Sequence, residues 1–412
     1  MLDFLILYEN KEREIKSVSL LKCSLEELGY CVQLEQIQYF HKRKIKTRVV
    51  IVPFLYSDLD IYKYIYVICG KCQKVINLRW EQVFSRYMEN EKQGFFYPKG
   101  QCKKVYHICW GKKQCLDLIE RGVKPECAVR TGAIQIDFFS DLNGYKSKEQ
   151  IAEEYGLDPN KKWILFVSSF SNASLSEQEE KKLINMLGEE RRKFIEVSKI
   201  SRKKILEWFK NFLDKENKYE IIYRPHPSEL TDYTLNNYVK ERIHIIKNEV
   251  VAQWIIVCDK VFNWISTSAI EIYLLGKGGN LLRPSPIPYE QDMNIFEDCN
   301  KIITFEDFCI QAKSENQLVN NSSFEAYYDV NNYQSYKRVL NLCVSVIARK
   351  RGCDIDYKEI VRKISLWKRI KYELLYKIYI PILFLAGRIV EFTNRKPKFL
   401  NGYFRVKSNT LK

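Results

Sequence analysis

Residues Arg224, Pro225, His226 and Pro227 close an apolar strand at 221–223. A proline lacks an N–H and has a fixed φ, so the strand stops there. An arginine and a histidine are then held stiffly at a strand's carboxyl end, the edge where open parallel sheets bind ligands. Imidazole exchanges protons and donates hydrogen bonds near neutral pH. The chain has only four histidines. His226 is therefore the first candidate for catalysis, and Arg224 for holding an anion.

Ser266, Thr267 and Ser268 lie between an apolar strand at 260–264 and a helix that starts at Ala269. First-turn N–H groups lack partners within a helix, and its dipole end there is positive, so this is a natural anion site. Taken alone, plain capping by Ser266 or Ser268 explains the pattern equally well. With Arg224 and His226 at a nearby strand end, phosphate binding is the favoured reading. Glu271, in the first turn, is placed to accept from ribose hydroxyls. Ser168 and Ser169 close a strand at 163–167 and join the binding candidates.

The first half of the chain has its own charged turn. Glu9, Lys11, Glu12, Arg13 and Glu14 follow the first strand. Arg13 counts with the binding candidates. Glu9 abuts the strand end, and Glu81 follows Asn77-Leu78-Arg79-Trp80 at another. A glutamate facing a cleft can act as general base for an acceptor hydroxyl. Chemistry alone does not choose between Glu9 and Glu81.

Several reactions lack their motifs. No Gly-x-Gly-x-x-Gly follows the first strand, and there is no Walker loop and no His-Glu-x-x-His. A dehydrogenase, an NTPase and a zinc peptidase are disfavoured. Asp-x-Asp occurs only as Asp58-Leu59-Asp60 and Asp354-Ile355-Asp356, neither well placed, so no essential metal and no cofactor are expected. Thirteen scattered cysteines, an odd number, read as free thiols of a reducing compartment. Cys69 and Cys72 form one Cys-x-x-Cys, and a structural zinc site needs a second pair.

These residues need a framework. At 412 residues, 46% of them hydrophobic, the chain is expected to form two domains of about 150–200 residues. Strands are expected at 4–8, 31–34, 49–53, 65–69, 74–78, 105–109 and 127–129. Helices are expected at 17–28 and 113–121. After a linker at 146–160, strands at 163–167, 221–223, 243–246, 260–264 and 279–282 alternate with helices at 177–187, 252–257 and 269–275. Ser201 is read as the cap of a further helix, and helices fill much of 334–364. Strands alternating with helices argue for α/β domains with parallel sheets. The expected division is 1–145, 161–345 and a carboxyl-terminal segment at 346–412, with a cleft between the two domains.

The charge is unevenly placed. Residues 366–412 hold eleven Lys or Arg against two Glu, so this segment carries +9 of the chain's +16. Aromatic residues are interleaved with the basic ones. The uncharged run 378–387 is too short to span a bilayer. It can lie in the headgroup region with basic residues on anionic lipid. A final helix packed on the first domain is the competing explanation. No nucleic-acid motif supports a nucleic-acid partner. No signal peptide and no spanning segment are apparent, so a cytoplasmic protein is expected.

Four segments together carry a resemblance. They are Ile6 through Glu14; Trp110-Gly111 followed by 118–125 and 129–137; Tyr223-Arg224-Pro225-His226-Pro227; and Ser266 through Glu271 leading to Gly276. On these the chain resembles the bacterial surface carbohydrate biosynthesis proteins, which look like glycosyltransferases of the two-Rossmann-domain GT-B type. The Arg-Pro-His-Pro segment is also similar to the His-Pro motif of polysialyltransferases, capsule Kdo transferases and teichoic acid glycerophosphotransferases. The resemblance covers about residues 1–345 and departs from the family pattern at Ala133. It implies that His226 and the Ser266–Ser268 loop contact a donor phosphate.

The expected protein is therefore a metal-independent transferase. It moves a sugar or polyol phosphate from a nucleotide-activated donor to a cell-surface glycan or lipid-linked acceptor. The expected location is the inner face of the membrane, held through residues 366–412. The rival expectations are a nucleotide-sugar epimerase of the same fold and a non-catalytic glycan-assembly protein.

Overall fold

The computed structural model describes residues 1–38, 45–90, 96–229, 242–316, 322–329 and 334–391. The chain forms two compact units. Residues 1–82, 94–138 and 326–412 make the first, and residues 83–93 and 139–325 the second.

The first unit is built on a six-stranded parallel sheet ordered β2-β1-β3-β4-β5-β6. Its strands are β1 (Leu2–Tyr8), β2 (Val32–Gln36), β3 (Thr47–Val52), β4 (Val75–Asn77), β5 (Tyr106–Cys109) and β6 (Ala128–Arg130). Phe4, Leu5, Ile6 and Leu7 are all fully buried. An unbroken apolar run is what a strand covered on both faces requires. The helix Lys11–Glu27 begins at Asn10, whose side chain accepts from the Arg13 N–H. Its Glu14, Val18, Leu21 and Leu25 are buried at three- and four-residue spacing. Burying each Val or Leu contributes about 1.5–3 kcal/mol.

The chain returns to this unit after residue 325. The helix Ser335–Ala348 buries Val339, Leu342, Cys343, Val346 and Ile347, and it packs against Lys11–Glu27. Residues 326–329 and 334–345, expected in the second domain, lie on the first. Two glycines receive the return. A Cβ on Gly111 would lie 2.5 Å from the Ala326 carbonyl oxygen, and one on Gly132 would lie 2.3 Å from the Ser335 hydroxyl. Trp110 stacks on Tyr328, and Arg338 Nε donates to the Thr131 carbonyl at 2.6 Å. Asp137 accepts the Tyr336 N–H at 2.7 Å. The family-like residues Trp110-Gly111 and Thr131-Gly132 therefore seat a chain crossing.

The second unit carries another six-stranded parallel sheet, ordered β12-β11-β10-β7-β8-β9. Its strands are β7 (Lys162–Val167), β8 (Tyr219–Arg224), β9 (Ile243–Ile245), β10 (Lys260–Asn263), β11 (Asn280–Leu282) and β12 (Asn300–Ile302). The helix Glu189–Lys215 lays Phe194, Ile205, Phe209, Phe212 and Leu213 on the sheet. Phe166, Phe209, Phe212 and Phe262 meet with Phe308 in an aromatic core.

Three expectations change. Residues 65–69 are helical, continuing the turns Asp58–Ile61 and Tyr62–Tyr66. Their Ile and Val content reads as strand, but Ile61, Ile65 and Ile68 are buried at helical spacing. Ser201 is no cap: its helix starts at Glu189, and Ser201 is buried in mid-helix. The 146–160 stretch is integral to the second unit. The helix Lys148–Tyr155 sends Ile151 and Ala152 into a core with Trp163 and Trp254.

Candidate functional site

Each sheet reverses its strand order at one place, and that is where loops part to leave a crevice. In the first unit the reversal lies at β1 and β3. A cavity of about 170 Å³ opens at their carboxyl ends, lined by Glu9, Arg13 and Glu81 with Phe54, Tyr56, Trp80 and Phe96. Phe54 stacks on Tyr56, which meets Phe96 edge-on. A pocket that combines aromatic faces with carboxylates suits a polyhydroxylated ligand.

Arg13 organises this pocket. Its guanidinium meets Glu14 at 2.7 Å, Glu81 at 2.7 Å and Glu9 at 3.3 Å. Glu14 is fully buried, and it also accepts the Glu9 N–H at 2.8 Å. Burial lifts the Glu14 carboxyl above its usual range, against the pull of Arg13. Desolvation opposes the Arg13 charge, but Glu14 and Glu81 more than offset it and hold the guanidinium above its ordinary value. Arg13, expected among the binding residues, is engaged here with three carboxylates. Glu14, which the sequence offered only as part of a charged turn, is the hidden partner.

Glu81 reaches this cluster because the β4 loop turns sharply. Arg79 has φ 50°, left-handed backbone that a non-glycine residue seldom adopts. Such a conformation costs about 1–3 kcal/mol and persists where neighbours enforce it. Here Asn77 accepts the Arg79 N–H at 3.2 Å, and Gln82 donates to the Arg79 carbonyl at 2.9 Å. Asn77 in turn donates to His107 Nδ1 at 3.2 Å. Burial and the nearby Arg79 charge push His107 down to about 3. The ring is therefore neutral, with its Nε2–H donated to the Cys102 carbonyl at 2.8 Å.

In the second unit the order reverses at β7 and β10. Ser168 and Ser169, at the end of β7, tie the flanking loops together. Ser168 is buried; its hydroxyl meets the Tyr223 hydroxyl at 2.9 Å and donates to Glu229 at 2.5 Å. Ser169 Oγ accepts the Ile265 N–H at 3.2 Å, which holds the loop after β10. Both serines, expected to bind a donor, have scaffold partners: Ser168 donates to Glu229, and Ser169 accepts from Ile265.

Glu229 is the residue that sequence reasoning missed. It is fully buried and accepts from Ser168, from Tyr223 at 2.6 Å and from the His226 N–H at 3.3 Å. Its N–H donates to the His226 carbonyl at 2.8 Å, which closes the turn. Arg202 stands 3.7 Å away, also buried. A glutamate beside Pro227 and Ser228 looks solvated in sequence, and only the preceding buried Tyr223 hinted at a partner.

On that base sits His226, exposed at the loop's surface. Its Nδ1 accepts the Ser228 N–H at 3.1 Å. Local desolvation lowers its basicity, while Glu229 raises it. A neutral ring with Nδ1 occupied carries its proton on Nε2. Arg224 donates to the carbonyls of Lys247, Asn248 and Glu249. It braces the loop after β9 and lends its charge to Glu271, so its first role is positional.

The loop after β10 is also built from within. Asn263 accepts the Ser266 N–H and donates to the Ser266 carbonyl, both at 2.7 Å. Ser266 Oγ accepts the Ser268 N–H at 3.3 Å. Thr267 is exposed. The helix Ala269–Leu274 has only six residues, so its end field is weaker than the sequence suggested. Burial lifts Glu271 to about 7; the Ser268 hydroxyl and the Arg224 charge pull the other way. Both Asp-x-Asp pairs serve as local caps. Asp60 accepts the Tyr56 and Ser57 N–H groups, and Asp356 caps the helix Tyr357–Lys363.

No family model matches the sequence, and no curated protein matches it at sequence level. Solved structures do match the fold. The wall teichoic acid polymerase TagF superposes with a TM-score of 0.56 at 11% identity, covering 84% of this chain and 89% of that one. A protein assigned as UDP-N-acetylglucosamine 2-epimerase in Listeria monocytogenes gives 0.50 at 12% identity, covering 84% and 96%. The S. aureus MnaA–UDP complex gives 0.50 at 14% identity, covering 85% and 99%. This chain is similar to all three in architecture: an α/β, GT-B-like fold with two six-stranded parallel sheets.

Proposed function

We propose that this chain is a metal-independent transferase of cell-surface glycan assembly. It takes a sugar or polyol phosphate from a nucleotide-activated donor and places it on a glycan or lipid-linked acceptor. The observation that carries the reading is the His226 ring: a neutral imidazole, oriented by Ser228 and mounted on buried Glu229, with an Nε2–H left to donate. Similarity in fold to a teichoic acid polymerase and to a UDP-bound protein supports a nucleotide-linked substrate.

In this reading the donor's phosphates lie against His226 and the 266–268 loop, and Glu271 faces the ribose. The acceptor hydroxyl enters the aromatic pocket of the first unit. There it loses its proton to a carboxylate as its oxygen bonds the transferred group. The bond from that group to the donor's phosphate oxygen breaks, and the departing phosphate takes its hydrogen bond from His226. Stabilising that developing charge is the main catalytic term. Glu9, which directly follows the carboxyl end of β1 at the pocket's rim, is taken as the base. The basic segment 366–412 keeps the chain at the inner membrane surface, near a lipid-linked acceptor; residues 392–412 lie outside the described residues.

The test is incubation with nucleotide-activated sugars and glycerol, with and without lipid-linked acceptor, and mass analysis of the products. Acceptor-dependent gain of mass together with free nucleotide supports transfer. A rearranged sugar formed without acceptor means an epimerase, and binding without turnover means an assembly protein.

A further inference from the structure

The helical run 366–391 presents two unlike faces. One is packed on the first unit. Tyr376, Ile380 and Leu383 are buried, and Lys63 Nζ lies 5.1 Å from the centre of the Tyr372 ring. The other face is apolar yet uncovered. Leu366, Ile370, Leu374, Ile378 and Ile382 recur every four residues, each at least 40% exposed, and Trp367 is 82% exposed. Four-residue spacing drifts around an α-helix, and the wide turn Leu375–Tyr379 takes up part of that drift. A continuous stripe of this length on a soluble surface marks an interaction site.

The charges beside the stripe identify the partner. Lys368, Arg369, Lys371 and Lys377 share the run, against Glu373 alone between 366 and 385. At the run's amino end lies a cavity of about 390 Å³, lined by Ser57, Lys99, Lys363, Ser365 and Lys368, with Asp58 on one wall. Asp58 is already engaged by the Gln101 N–H at 2.6 Å and by Lys363 at 3.6 Å. Lys99 and Lys368 form no ion pair among the described residues. The cavity is therefore cationic and adjoins an apolar stripe. No helix among the described residues is long and apolar enough to cross a membrane.

We infer that this face docks on an anionic lipid bilayer. The stripe lies in the plane of the membrane, between headgroups and acyl chains, and the Lys99–Lys368 cavity receives a phosphate-bearing lipid headgroup. This rests on the membrane part of the proposed function and gives it an orientation and a headgroup site.

The experiment is vesicle flotation of the full chain. Neutral phosphatidylcholine vesicles are compared with vesicles in which about a third of the lipid is phosphatidylglycerol. The wild type floats with the anionic vesicles and not with the neutral ones. Trp367→Ser with Leu374→Ser loses flotation, and circular dichroism confirms its fold. Lys99→Ala with Lys368→Ala weakens anionic binding roughly 25-fold, about fivefold per lysine. Equal flotation of all variants, or of the wild type with both vesicle types, overturns the inference. So does a solution dimer that the apolar substitutions dissolve while vesicles are ignored. A melting shift with soluble glycerol phosphate that needs Lys99 and Lys368, without flotation, would also overturn it. Nucleotide binding is measured separately without vesicles, so failure here is distinguishable from failure of the transferase reading.

Discussion

His226 Nδ1 accepts the backbone N–H of Ser228 at 3.1 Å. That one bond decides which edge of the ring faces outward and what it does there. An imidazole whose Nδ1 is occupied by a donor, and whose basicity is lowered by desolvation, presents a neutral Nε2–H at pH 7. A departing phosphate needs such a donor. Pro225 and Pro227 on either side stiffen the backbone that carries the ring.

Replacing His226 by Ala is expected to lower kcat/KM by about 10²–10⁴-fold. The side chain is exposed, so the unfolding free energy should change by no more than about 0.5 kcal/mol. Steady-state kinetics beside urea denaturation checks both parts.

Glu229→Ala is expected to act in the opposite sense, on stability first. It removes the acceptor for Ser168, Tyr223 and the His226 N–H, together with the carboxylate 3.7 Å from buried Arg202. The expected loss is about 3 kcal/mol or more, read from denaturant midpoints. A change below 0.5 kcal/mol would mean that the buried network does not hold the His226 loop.

Glu271 gives a pH signature. Its folded-state pKa is raised to about 7 from 4.5, so the folded protein binds the proton more tightly. Its contribution to stability is best below about pH 4.5 and declines as pH rises through 7, by about 3 kcal/mol in all. Glu271→Gln removes this decline. The stability difference between variant and wild type should therefore grow from pH 5 to pH 8, followed by urea titration.

The two candidate bases should separate kinetically. Glu9→Gln is expected to lower kcat by about 10²-fold or more with little effect on donor affinity. Glu81→Gln frees Arg13 from one of three carboxylates and should act more mildly, through KM for the acceptor. Equal losses in kcat for the two variants would contradict the assignment.

Much of this arrangement was legible in the sequence. The runs 4–8 in β1 and 163–167 in β7 are apolar because both faces are covered, and the prolines around His226 announce a strand end. The rest was hidden for physical reasons. Ser168 and Ser169 look like ligand groups because a hydroxyl's partner is invisible in one dimension; here the partners come from Glu229, 61 residues on, and Ile265, 96 residues on. Residues 65–69 have strand-like composition but were taken into a helix by packing. β12, with Asn300 and Lys301 exposed, shows no apolar pattern at all. Arg283 at the end of β11 gave no signal, yet it is buried with Nε and Nη1 lacking partners among the described residues.

The most direct test of the central claim is a thermal-shift panel. Purified protein and His226→Ala are each melted with CMP, CDP, UDP, GDP and their sugar or glycerol conjugates. The account predicts that one nucleotide class stabilises the wild type, by about 2.7 kcal/mol at a hundredfold excess over Kd, and that the shift is largely lost in the variant. No shift with any nucleotide, or an equal shift in both proteins, would contradict it.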